Sequence, residues 1–384
     1  MHKPAPSEVP SLRTTYSDTY DNHDGTFTSS ISAAPINYQP SAGAAFAPID
    51  LTFSAISGGN GRVRAGKTVM PVELGAPDDA AGFMSLDTGS GKISLRLAPG
   101  TKAGIAGSRP SSKGPVSSVS GLMAGMDLSV SAGRSGVRTF FTLKSKPASN
   151  SFTLALDAGK LNPVFNADGS ISFLDAKGNA VATMPHPYAV DSSYDEHLGS
   201  GQMTSDVGYS LSTQGSTALL TVTVDAAWLA SAVYPVYVDP TFNSSDATTT
   251  DNFVSSKYPT TAYPSYQRPD SPGYWELWLG RDPTPGTTYL QNDFIKFNLS
   301  SIPTSTISSA SLQIFPYWQY EHTTAMNTWV NTADASWATG SLTWNNQPDF
   351  TAYTTGATTE GDWHSFNVAD KYVNPAVLVY IVAG

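Results

Sequence analysis

Residues 293–314 read DFIKFNLSSIPTSTISSASLQI, and this stretch decides the fold class. Apolar and polar residues alternate along 295–299 and again along 310–314. A period of two places the apolar residues on one face of a β-strand. Pro303 separates the two runs, and proline cannot continue a strand's hydrogen-bond ladder. The stretch therefore predicts two half-buried strands joined by a polar loop.

The same alternation recurs through the first 240 residues. The turn sequences ADGS at 167–170 and DAKGN at 175–179 flank one such run and predict a hairpin. A single helical turn is expected over 225–232, and the serine- and glycine-rich region 104–121 is expected to be an exposed loop. The short alternating segments lie at 93–97, 152–156, 171–173, 220–224 and 236–238.

The composition favours an all-β protein and excludes several classes of function. Charged residues make up 14% of the chain, against about 25% in an ordinary soluble domain. The net charge of −10 disfavours binding to nucleic acid, because that affinity comes from clustered lysine and arginine. The absence of cysteine excludes thiolate metal sites and disulfides. No apolar run approaches the roughly 18 residues that predict a membrane span.

The distribution of tryptophan predicts a domain boundary. Seven of the eight tryptophans follow residue 240, and the polar tract 243–250 has nothing to bury. We therefore expect a β-rich structural domain over 1–240, a linker over 241–250, and a jelly-roll or β-sandwich module over 251–384. The apolar segment near the end predicts a strand whose pairing partner is missing, so the module is expected to be truncated.

The sequence contains no motif for a catalytic centre. The histidines lack the HExxH spacing of a zinc site, and neither a GxSxG elbow nor a Walker loop is present. A pair of catalytic carboxylates can be recognised only in three dimensions, so a polysaccharide hydrolase or lyase stays an alternative. Oxygen ligands for a structural calcium ion are expected at Asp251, Asp282 and Asp293. No catalytic residues are assigned, and we expect that the protein is not an enzyme.

The excess of aromatic residues after residue 240 is the most informative signal. Adjacent residues on a strand face opposite sides, so runs such as YWELW at 274–278 and PYWQY at 316–320 cannot bury every ring. An exposed ring offers an apolar surface to a sugar, while nearby polar groups bond its hydroxyls. The candidate glycan-binding residues are Trp275, Trp278, Arg281, Trp318, Gln319, Tyr320 and Trp329. Trp337 and Trp344 are expected to be structural.

A series of motifs in the C-terminal part resembles the DNRLRE domain. The family is named for repeats in disaggregatase and overlaps a carbohydrate-binding module family of β-sandwich fold. The resemblance covers about residues 248–384 and implies carbohydrate binding. The motifs are DNFV at 251–254, LWLGR at 277–281, DFIKFNLS at 293–300, IP at 302–303, ISSASLQI at 307–314, SW at 336–337 and LTWNNQP at 342–348.

A second set of motifs is similar to the N-terminal region of secreted bacterial RHS or YD-repeat wall-associated proteins. The resemblance implies that the chain leads a longer secreted or surface polypeptide, whose remainder on the C-terminal side would be its partner. The motifs are YSDTYDNHDGTFT at 16–28, APINY at 34–38, APID at 47–50 and YPVYVDPT at 234–241.

Together these features predict an extracellular region that binds a cell-surface glycan or polysaccharide and attaches the protein to a surface. Two alternatives are a purely structural shell or spacer segment of a secreted toxin-like repeat protein, and the polysaccharide hydrolase or lyase named above. No cofactor other than structural calcium is expected. The location is expected to be secreted or at the cell surface.

Overall fold

The structure is a computed structural model, and it describes residues 4–193, 201–244, 251–264, 277–281, 288–297, 307–319, 323–333, 337, 342–368 and 378–383. These residues are nearly all β, as the sequence predicts. Helices in the described ranges are the α-helix α1 (Ala226–Ser231), which falls at the predicted helical turn, and the 3-10 turns Pro10–Leu12 and Trp344–Asn346. None of these helices has the length and apolar character needed to cross a membrane.

The chain divides into two compact units. The larger unit consists of Pro35–Ala247 with Gln267–Trp275, and the smaller unit of Met1–Ala34, Thr248–Tyr266 and Glu276–Gly384. The first 34 residues are thus grouped with the C-terminal part of the chain. Ala33 packs against an apolar cluster of the smaller unit. The domain limits expected from the sequence stay a prediction.

Three strands near the start of the chain form an antiparallel sheet of the smaller unit in the order β1-β2-β3. The outer strand of this sheet is exposed along most of its length. The three strands are β1 (Ser7–Glu8), β2 (Ser17–Asp21) and β3 (Phe27–Ile31).

The larger unit contains an eight-stranded sheet, an eleven-stranded sheet and a separate strand pair. Its strands are β4 (Asn37–Tyr38), β5 (Ala47–Pro48), β6 (Ser54–Ala55), β7 (Val63–Ala65), β8 (Val72–Leu74), β9 (Met84–Asp87), β10 (Lys92–Leu97), β11 (Ser111–Lys113), β12 (Val116–Met123), β13 (Met126–Ala132), β14 (Gly136–Leu143), β15 (Ser151–Asp157), β16 (Asn162–Phe165), β17 (Ile171–Leu174), β18 (Ala180–Met184), β19 (Tyr188–Val190), β20 (Met203–Thr204), β21 (Val207–Gln214), β22 (Thr217–Val224), β23 (Val236–Asp239) and β24 (Phe242–Ser244).

The two large sheets share one apolar core. The eight-stranded sheet runs β21-β22-β15-β10-β9-β8-β7-β6 and contributes side chains such as Leu95, Leu154 and Val222. The other sheet has the path β11-β12-β13-β14-β24-β18-β17-β16 and contributes Phe141 and Val238. These residues lie on the apolar faces of alternating strands, and burying such faces against each other is the stable arrangement of a β-sandwich.

One local prediction for the larger unit is confirmed and another is wrong. The hairpin expected after residue 167 forms from β17 and β18, which pair antiparallel. The loop expected over 104–121 is interrupted by β11 and by the start of β12. Ser117 is fully buried there, because β12 pairs with β13 and serine hydroxyls can be satisfied within a sheet. A serine-rich composition does not reveal such a partner.

A buried ion pair joins Asp239, in the motif YPVYVDPT at 234–241, to Arg138 of β14. Arg138 places Nη1 at 3.0 Å from the Asp239 carboxylate, and both side chains are almost fully buried. Arg138 also donates to the Tyr188 hydroxyl at 2.5 Å, and the Thr241 hydroxyl donates to Asp239 at 2.6 Å. Burial raises the pKa of Asp239, and the Arg138 guanidinium opposes that rise. The motif is therefore held within the larger unit by charge as well as by strand pairing.

The smaller unit contains a seven-stranded sheet and a two-stranded ladder besides its N-terminal sheet. The seven-stranded sheet has the order β26-β25-β28-β33-β30-β31, with β27 paired to β28, and the ladder consists of β29 and β32. Its strands are β25 (Asp251–Ser255), β26 (Tyr263–Pro264), β27 (Gly280–Arg281), β28 (Leu290–Lys296), β29 (Ser311–Ile314), β30 (Met326–Ala333), β31 (Phe350–Thr358), β32 (His364–Asn367) and β33 (Leu378–Ala383).

Strand β33 forms as the sequence predicts, but it does not lack pairing partners. It pairs antiparallel with β28 on one side and with β30 on the other, so it occupies the middle of the sheet. The expectation of a missing partner was wrong because both neighbours come from earlier in the chain. The apolar pattern of one segment cannot show which distant strands will pair with it.

Apolar clusters of the smaller unit involve the seven-stranded sheet. One cluster joins Ile295 and Val330 of that sheet to Leu312 and Phe366 of the ladder. Another joins Val254 and Phe294 to Trp337 and Leu342, which lie in the segment after β30. The ladder and the segment after β30 therefore pack against the seven-stranded sheet through two different apolar clusters. Ala333 and Trp344 are partly buried and pack against the second cluster.

Candidate functional site

The two-stranded ladder of the smaller unit is amphipathic. β29 and β32 pair antiparallel with Leu312 opposite Phe366. Both of these side chains are 5% exposed and belong to one apolar cluster. Because successive side chains on a strand alternate between its faces, the neighbouring positions point the other way. The ladder therefore presents one face to the core and the opposite face to solvent.

The outer face of the ladder begins with two polar cross-strand pairs. Ser311 lies opposite Asn367, and Gln313 lies opposite Ser365. All four residues are exposed. The Gln313 amide donates to the Ser365 hydroxyl at 3.5 Å. Hydroxyl and amide groups thus form a polar row along this face.

An aromatic pair continues the same row. Phe315 and Trp363 follow one step beyond the paired residues Ile314 and His364, and their ring centroids are 5.3 Å apart with planes inclined at 53°. Phe315 is 43% exposed and Trp363 is 68% exposed. We call the outward residues of these three pairs the ladder face: Ser311, Gln313, Phe315, Trp363, Ser365 and Asn367.

Hydrogen bonds hold together the two chain segments that carry the aromatic pair. The Gly361 amide donates to the Pro316 carbonyl at 2.8 Å, and the backbone amide of Gln319 donates to the Glu360 carboxylate at 3.0 Å. Gly361 has a φ of +81°, which favours glycine at this turn. The segments leaving β29 and entering β32 are therefore positioned relative to each other by backbone groups as well as by the rings.

Two more exposed aromatic side chains lie in the segment after β29. Tyr317 is 54% exposed and Trp318 is 52% exposed. We call Phe315, Tyr317, Trp318 and Trp363 the aromatic cluster. Exposed apolar residues that are scattered singly are normal, but a group of large rings on two connected segments is a typical interaction surface. Trp318 was a sequence-predicted candidate, and the expectation that some rings stay outside the core is confirmed.

The other predicted glycan-binding residues do not all join this cluster. Trp278 is half-buried and stacks on Phe253 with centroids 5.3 Å apart, and Trp329 is half-buried within β30. Arg281 is exposed at the end of β27. Trp275 and Tyr320 lie outside the described residues.

Gln319 was expected to bond sugar hydroxyls, but the structure uses its side chain internally. It is 3% exposed, and its amide donates to the Thr324 carbonyl at 2.6 Å. Its backbone amide also bonds Glu360. Gln319 therefore stabilises the segment that carries the aromatic cluster and is not presented on a face open to a ligand.

Trp337 and Trp344 pack into the fold, as expected. Trp337 is 7% exposed and packs edge-on against Phe294 with centroids 5.8 Å apart. The Lys296 ammonium lies 4.3 Å from the Trp337 ring centroid and donates to its carbonyl oxygen. Trp344 packs beside the same apolar cluster.

Two of the three predicted calcium ligands lie on neighbouring strands. Asp293 of β28 is 5% exposed, and its Oδ1 has no hydrogen-bond partner. Burial and the nearby Asp251 raise the pKa of Asp293 well above its ordinary value. Asp282 lies outside the described residues, within which no group of three or more acidic or histidine side chains is placed to hold a metal. Calcium takes six to eight oxygen ligands, so its binding stays a prediction.

The sequence prediction did not include Phe315 or Trp363, although a signal for both was present. Phe366 and Val368 alternate with Ser365 and Asn367, and the same period places Trp363 on the polar side of the strand. Phe315 extends the corresponding outward row of β29. The missing information was that the two strands pair, because only pairing brings the rings together.

Comparison with known proteins identifies the region that carries this face. Residues 243–378 match the model of carbohydrate-binding module family 96, and they include the whole ladder face. The chain is also 34% identical over 231 residues to the tRNA nuclease WapA of Bacillus subtilis strain 168, a match over 57% of this chain. It is 34% identical over 213 residues to the tRNA3(Ser)-specific nuclease WapA of Bacillus spizizenii, a match over 52% of this chain.

These names correct the expectation that the protein is not an enzyme. The relatives are named as tRNA nucleases, and the match spans only 9% of the length of each. The absence of catalytic motifs from these 384 residues does not bear on the parts of those relatives that the match does not cover. The match to carbohydrate-binding module family 96, by contrast, covers residues 243–378 and therefore the region that contains the ladder face.

Proposed function

We propose that the smaller unit binds polysaccharide on the ladder face and thereby attaches the protein to a cell surface or wall. The observation that carries this proposal is the exposed pair of Phe315 and Trp363 at the end of a row of amide and hydroxyl side chains. The match to carbohydrate-binding module family 96 over the same region supports it.

The chemistry of the face suits a sugar chain. The C–H groups on one side of a pyranose ring form an apolar surface that packs on an aromatic ring, and burying that surface is favourable. Sugar hydroxyls need hydrogen-bond partners when water is displaced, and Gln313 and Ser365 offer donors and acceptors beside the rings. An apolar platform with a few placed polar groups is the usual composition of a small-molecule site.

The position of the rings directly beyond the ends of two paired strands favours binding over a purely structural role. A ring that stabilises the fold is expected to be buried, as Trp337 is, whereas Trp363 is 68% exposed. The strand pairing that buries Leu312 and Phe366 also brings the polar side chains together on the opposite face of the ladder. The ladder therefore presents the outward groups together on one face, and such preorganisation lowers the entropic cost of binding.

The resemblance to DNRLRE domains and to RHS or YD-repeat wall-associated proteins supports an extracellular setting. In that setting the bound polysaccharide would be a component of a cell wall or capsule. The low content of charged residues fits such a surface, because hydroxyl and amide groups replace salt bridges over much of the chain.

Retention on immobilised polysaccharides tests this proposal. The intact chain is passed over a panel of insoluble polysaccharides, and the retained sample is compared with the variants Trp363→Ala and Phe350→Ala. Phe350 is 50% exposed at the far end of β31, so its replacement is a matched control for the loss of an exposed ring. We expect Trp363→Ala to weaken retention about tenfold or more, as loss of an aromatic anchor does, and Phe350→Ala to have little effect.

Unfolding measurements on the same variants separate binding from structure. If the unit is only a spacer, no polysaccharide is retained and replacing Trp363 changes nothing except stability. If Trp363→Ala keeps wild-type retention, the ladder face is not the binding site. Equal melting temperatures for the two variants, with retention lost only for Trp363→Ala, support the proposal.

The names of the relatives favour a second function for the protein as a whole, namely cleavage of tRNA. The supporting observation is 34% identity over 231 residues to a protein named as a tRNA nuclease. Incubation of purified full-length protein with tRNA, followed by gel analysis, tests it. Cleavage products support this second proposal, and intact tRNA under conditions that allow polysaccharide binding contradicts it.

A further inference from the structure

We infer that Asn60 is a site of spontaneous deamidation, at which the larger unit converts its own Asn60–Gly61 linkage into an aspartyl or isoaspartyl linkage. This inference is independent of glycan binding and concerns the other unit of the chain. It stands on the turn between β6 and β7, on the exposure of the two reacting residues, and on the position of Arg109.

The turn between β6 and β7 contains the only Asn-Gly dipeptide of the sequence. Residues 58–61 read GGNG, and they close the hairpin at one edge of the eight-stranded sheet. The Arg62 amide donates to the Gly59 carbonyl at 2.9 Å, and the Ile56 amide donates to the Arg62 carbonyl at 3.0 Å. These bonds hold the base of the turn, so its tip lies beyond the strand pairing.

Both reacting groups at the tip are accessible. Asn60 and Gly61 are exposed. Within the part of the chain that the structure describes, the Gly61 amide donates no hydrogen bond and the Asn60 carboxamide makes none. A hydrogen bond to either group would have to break before the groups could react. The amide nitrogen and the side-chain carbonyl are therefore both available for reaction.

The backbone at the tip offers little resistance to the rotation that brings these groups together. Asn60 has a φ of +49° and Gly61 a φ of +83°, so both are in the left-handed region. This conformation is less favourable for asparagine than for glycine, so Asn60 is not strongly held in it. A glycine on each side of Asn60 leaves the neighbouring dihedral angles unhindered.

Arg109 lies against Gly61. A Cβ atom on Gly61 would come within 2.9 Å of the Arg109 Cδ and 3.1 Å of its Nε, so the position suits glycine and leaves the amide nitrogen unshielded by a side chain. Across the described ranges, Arg109 forms no ion pair with a carboxylate. A nearby cation favours the anionic form of a group, so this guanidinium stabilises the Gly61 nitrogen as it loses its proton.

The reaction needs no co-reactant other than water. The Gly61 nitrogen loses its proton and attacks Cγ of Asn60. The new N–Cγ bond closes a five-membered imide, the Cγ–Nδ2 bond breaks, and the side-chain nitrogen leaves as ammonia. Water then adds to one of the two imide carbonyls and opens the ring. Opening at one carbonyl gives aspartate and at the other isoaspartate, and either product adds one negative charge.

Peptide mapping of the intact chain tests the inference. The chain is incubated in mildly alkaline and in mildly acidic buffer and is then digested with trypsin. Residues 14–62 should be released as one fragment, because the range follows an arginine and has lysine or arginine only at its last position. Tandem mass spectrometry locates the mass gained when an amide becomes a carboxyl group. Conversion should be faster in the alkaline buffer, since the nitrogen must lose its proton.

Two asparagines on the same fragment are internal controls. Asn37 is 1% exposed, and the Asn22 side chain donates to the hydroxyls of Thr26 and Thr28 at 3.0 Å each. Neither is followed by glycine. We expect Asn60 to convert about tenfold faster than either of them, because only Asn60 combines exposure with an unhindered following amide.

Three variants separate the parts of the inference. Asn60→Gly suits the positive φ and removes the carboxamide, so it should stay folded and show no conversion at position 60. Arg109→Gln should slow the conversion of Asn60 about threefold at low salt, where a nearby charge acts most strongly. Arg134→Gln replaces an exposed arginine between β13 and β14 and should leave the rate unchanged.

The outcomes bear on separate steps. Isoaspartate in the product supports the imide, because direct hydrolysis of the side chain gives aspartate alone. Aspartate without isoaspartate overturns the imide route. Equal rates for Arg109→Gln and wild type overturn the role of Arg109. Conversion of Asn60 no faster than that of Asn22 and Asn37 overturns the inference as a whole, and none of these results affects the proposed polysaccharide binding.

Discussion

The Asn252 side chain spans two parts of the smaller unit that are 90 residues apart in sequence. Its Nδ2 donates to the Leu342 carbonyl at 2.9 Å, and its Oδ1 accepts from the Tyr263 amide at 3.0 Å. Asn252 is fully buried. This one side chain therefore links β25 both to its neighbour β26 and to the start of the LTWNNQP motif.

Replacing Asn252 with alanine is expected to destabilise the smaller unit by about 2–4 kcal/mol, because it removes two hydrogen bonds and leaves buried backbone groups unsatisfied. Chemical denaturation followed by tryptophan fluorescence measures the change. Asn327, which is exposed on β30, provides the control, and its alanine variant should stay within about 0.5 kcal/mol of wild type. Equal stabilities for the two variants would show that the Asn252 bridge is not important for the fold.

The buried carboxyl of Asp293 is expected to make the stability of the smaller unit depend on pH. Burial and Asp251 raise the pKa of Asp293 above its value in the unfolded chain. Its contribution to stability is therefore fully present below the unfolded-state pKa and is lost as the pH rises through the folded-state pKa. We expect Asp293→Asn to be more stable than wild type by about 1–3 kcal/mol at neutral pH, with the difference shrinking toward acidic pH.

Unfolding of wild type and Asp293→Asn across pH 4 to 8 measures this effect, with the exposed Asp349→Asn as the control. The same experiment tests calcium at Asp251, Asp282 and Asp293, because calcium would bind the ionised carboxylates. In that case added calcium would stabilise the wild type and Asp293→Asn would be the less stable protein. That result would contradict a neutral Asp293.

Glu360 is expected to act as a positioning residue for the aromatic cluster. Its carboxylate accepts a hydrogen bond from the backbone amide of Gln319, so Glu360→Ala should loosen the segment that carries Trp318. We expect polysaccharide affinity to fall about threefold to tenfold, equivalent to about 1 kcal/mol. Glu360→Gln keeps an acceptor oxygen and should restore polysaccharide affinity. Equal losses in both variants would indicate that the charge of Glu360, and not its hydrogen bond, matters for binding.

Much of the secondary structure could be predicted from local alternation, and most of the site could not. The strands β28 and β29 follow from their alternation and β33 from its apolar run, and α1 lies within the helical turn expected over 225–232. The neighbours of β33 were missed because pairing depends on strands far away in sequence. The serine-rich strand β12 was missed for the same reason.

The candidate site shows the same limit. Composition indicated that rings would be exposed after residue 240, and Trp318 is one of them. The pairing of β29 with β32 decides that Phe315 meets Trp363, and no feature of either segment alone reveals it. Gln319 was expected to bond a sugar because a polar residue between aromatic residues is typical of a ligand contact. The sequence does not reveal that its side chain is buried. The expectation that the protein is not an enzyme was wrong because it rested on the absence of catalytic motifs from these 384 residues alone.

Fluorine NMR of protein labelled with 5-fluorotryptophan tests the central claim most directly. Each of the eight tryptophan resonances is assigned with single Trp→Phe variants, and the retained polysaccharide's oligomers are titrated in. Binding on the ladder face predicts that the Trp363 resonance shifts on titration while that of the buried Trp337 does not. A shift confined to other tryptophans such as Trp278 or Trp329, with Trp363 unchanged at saturation, would contradict it.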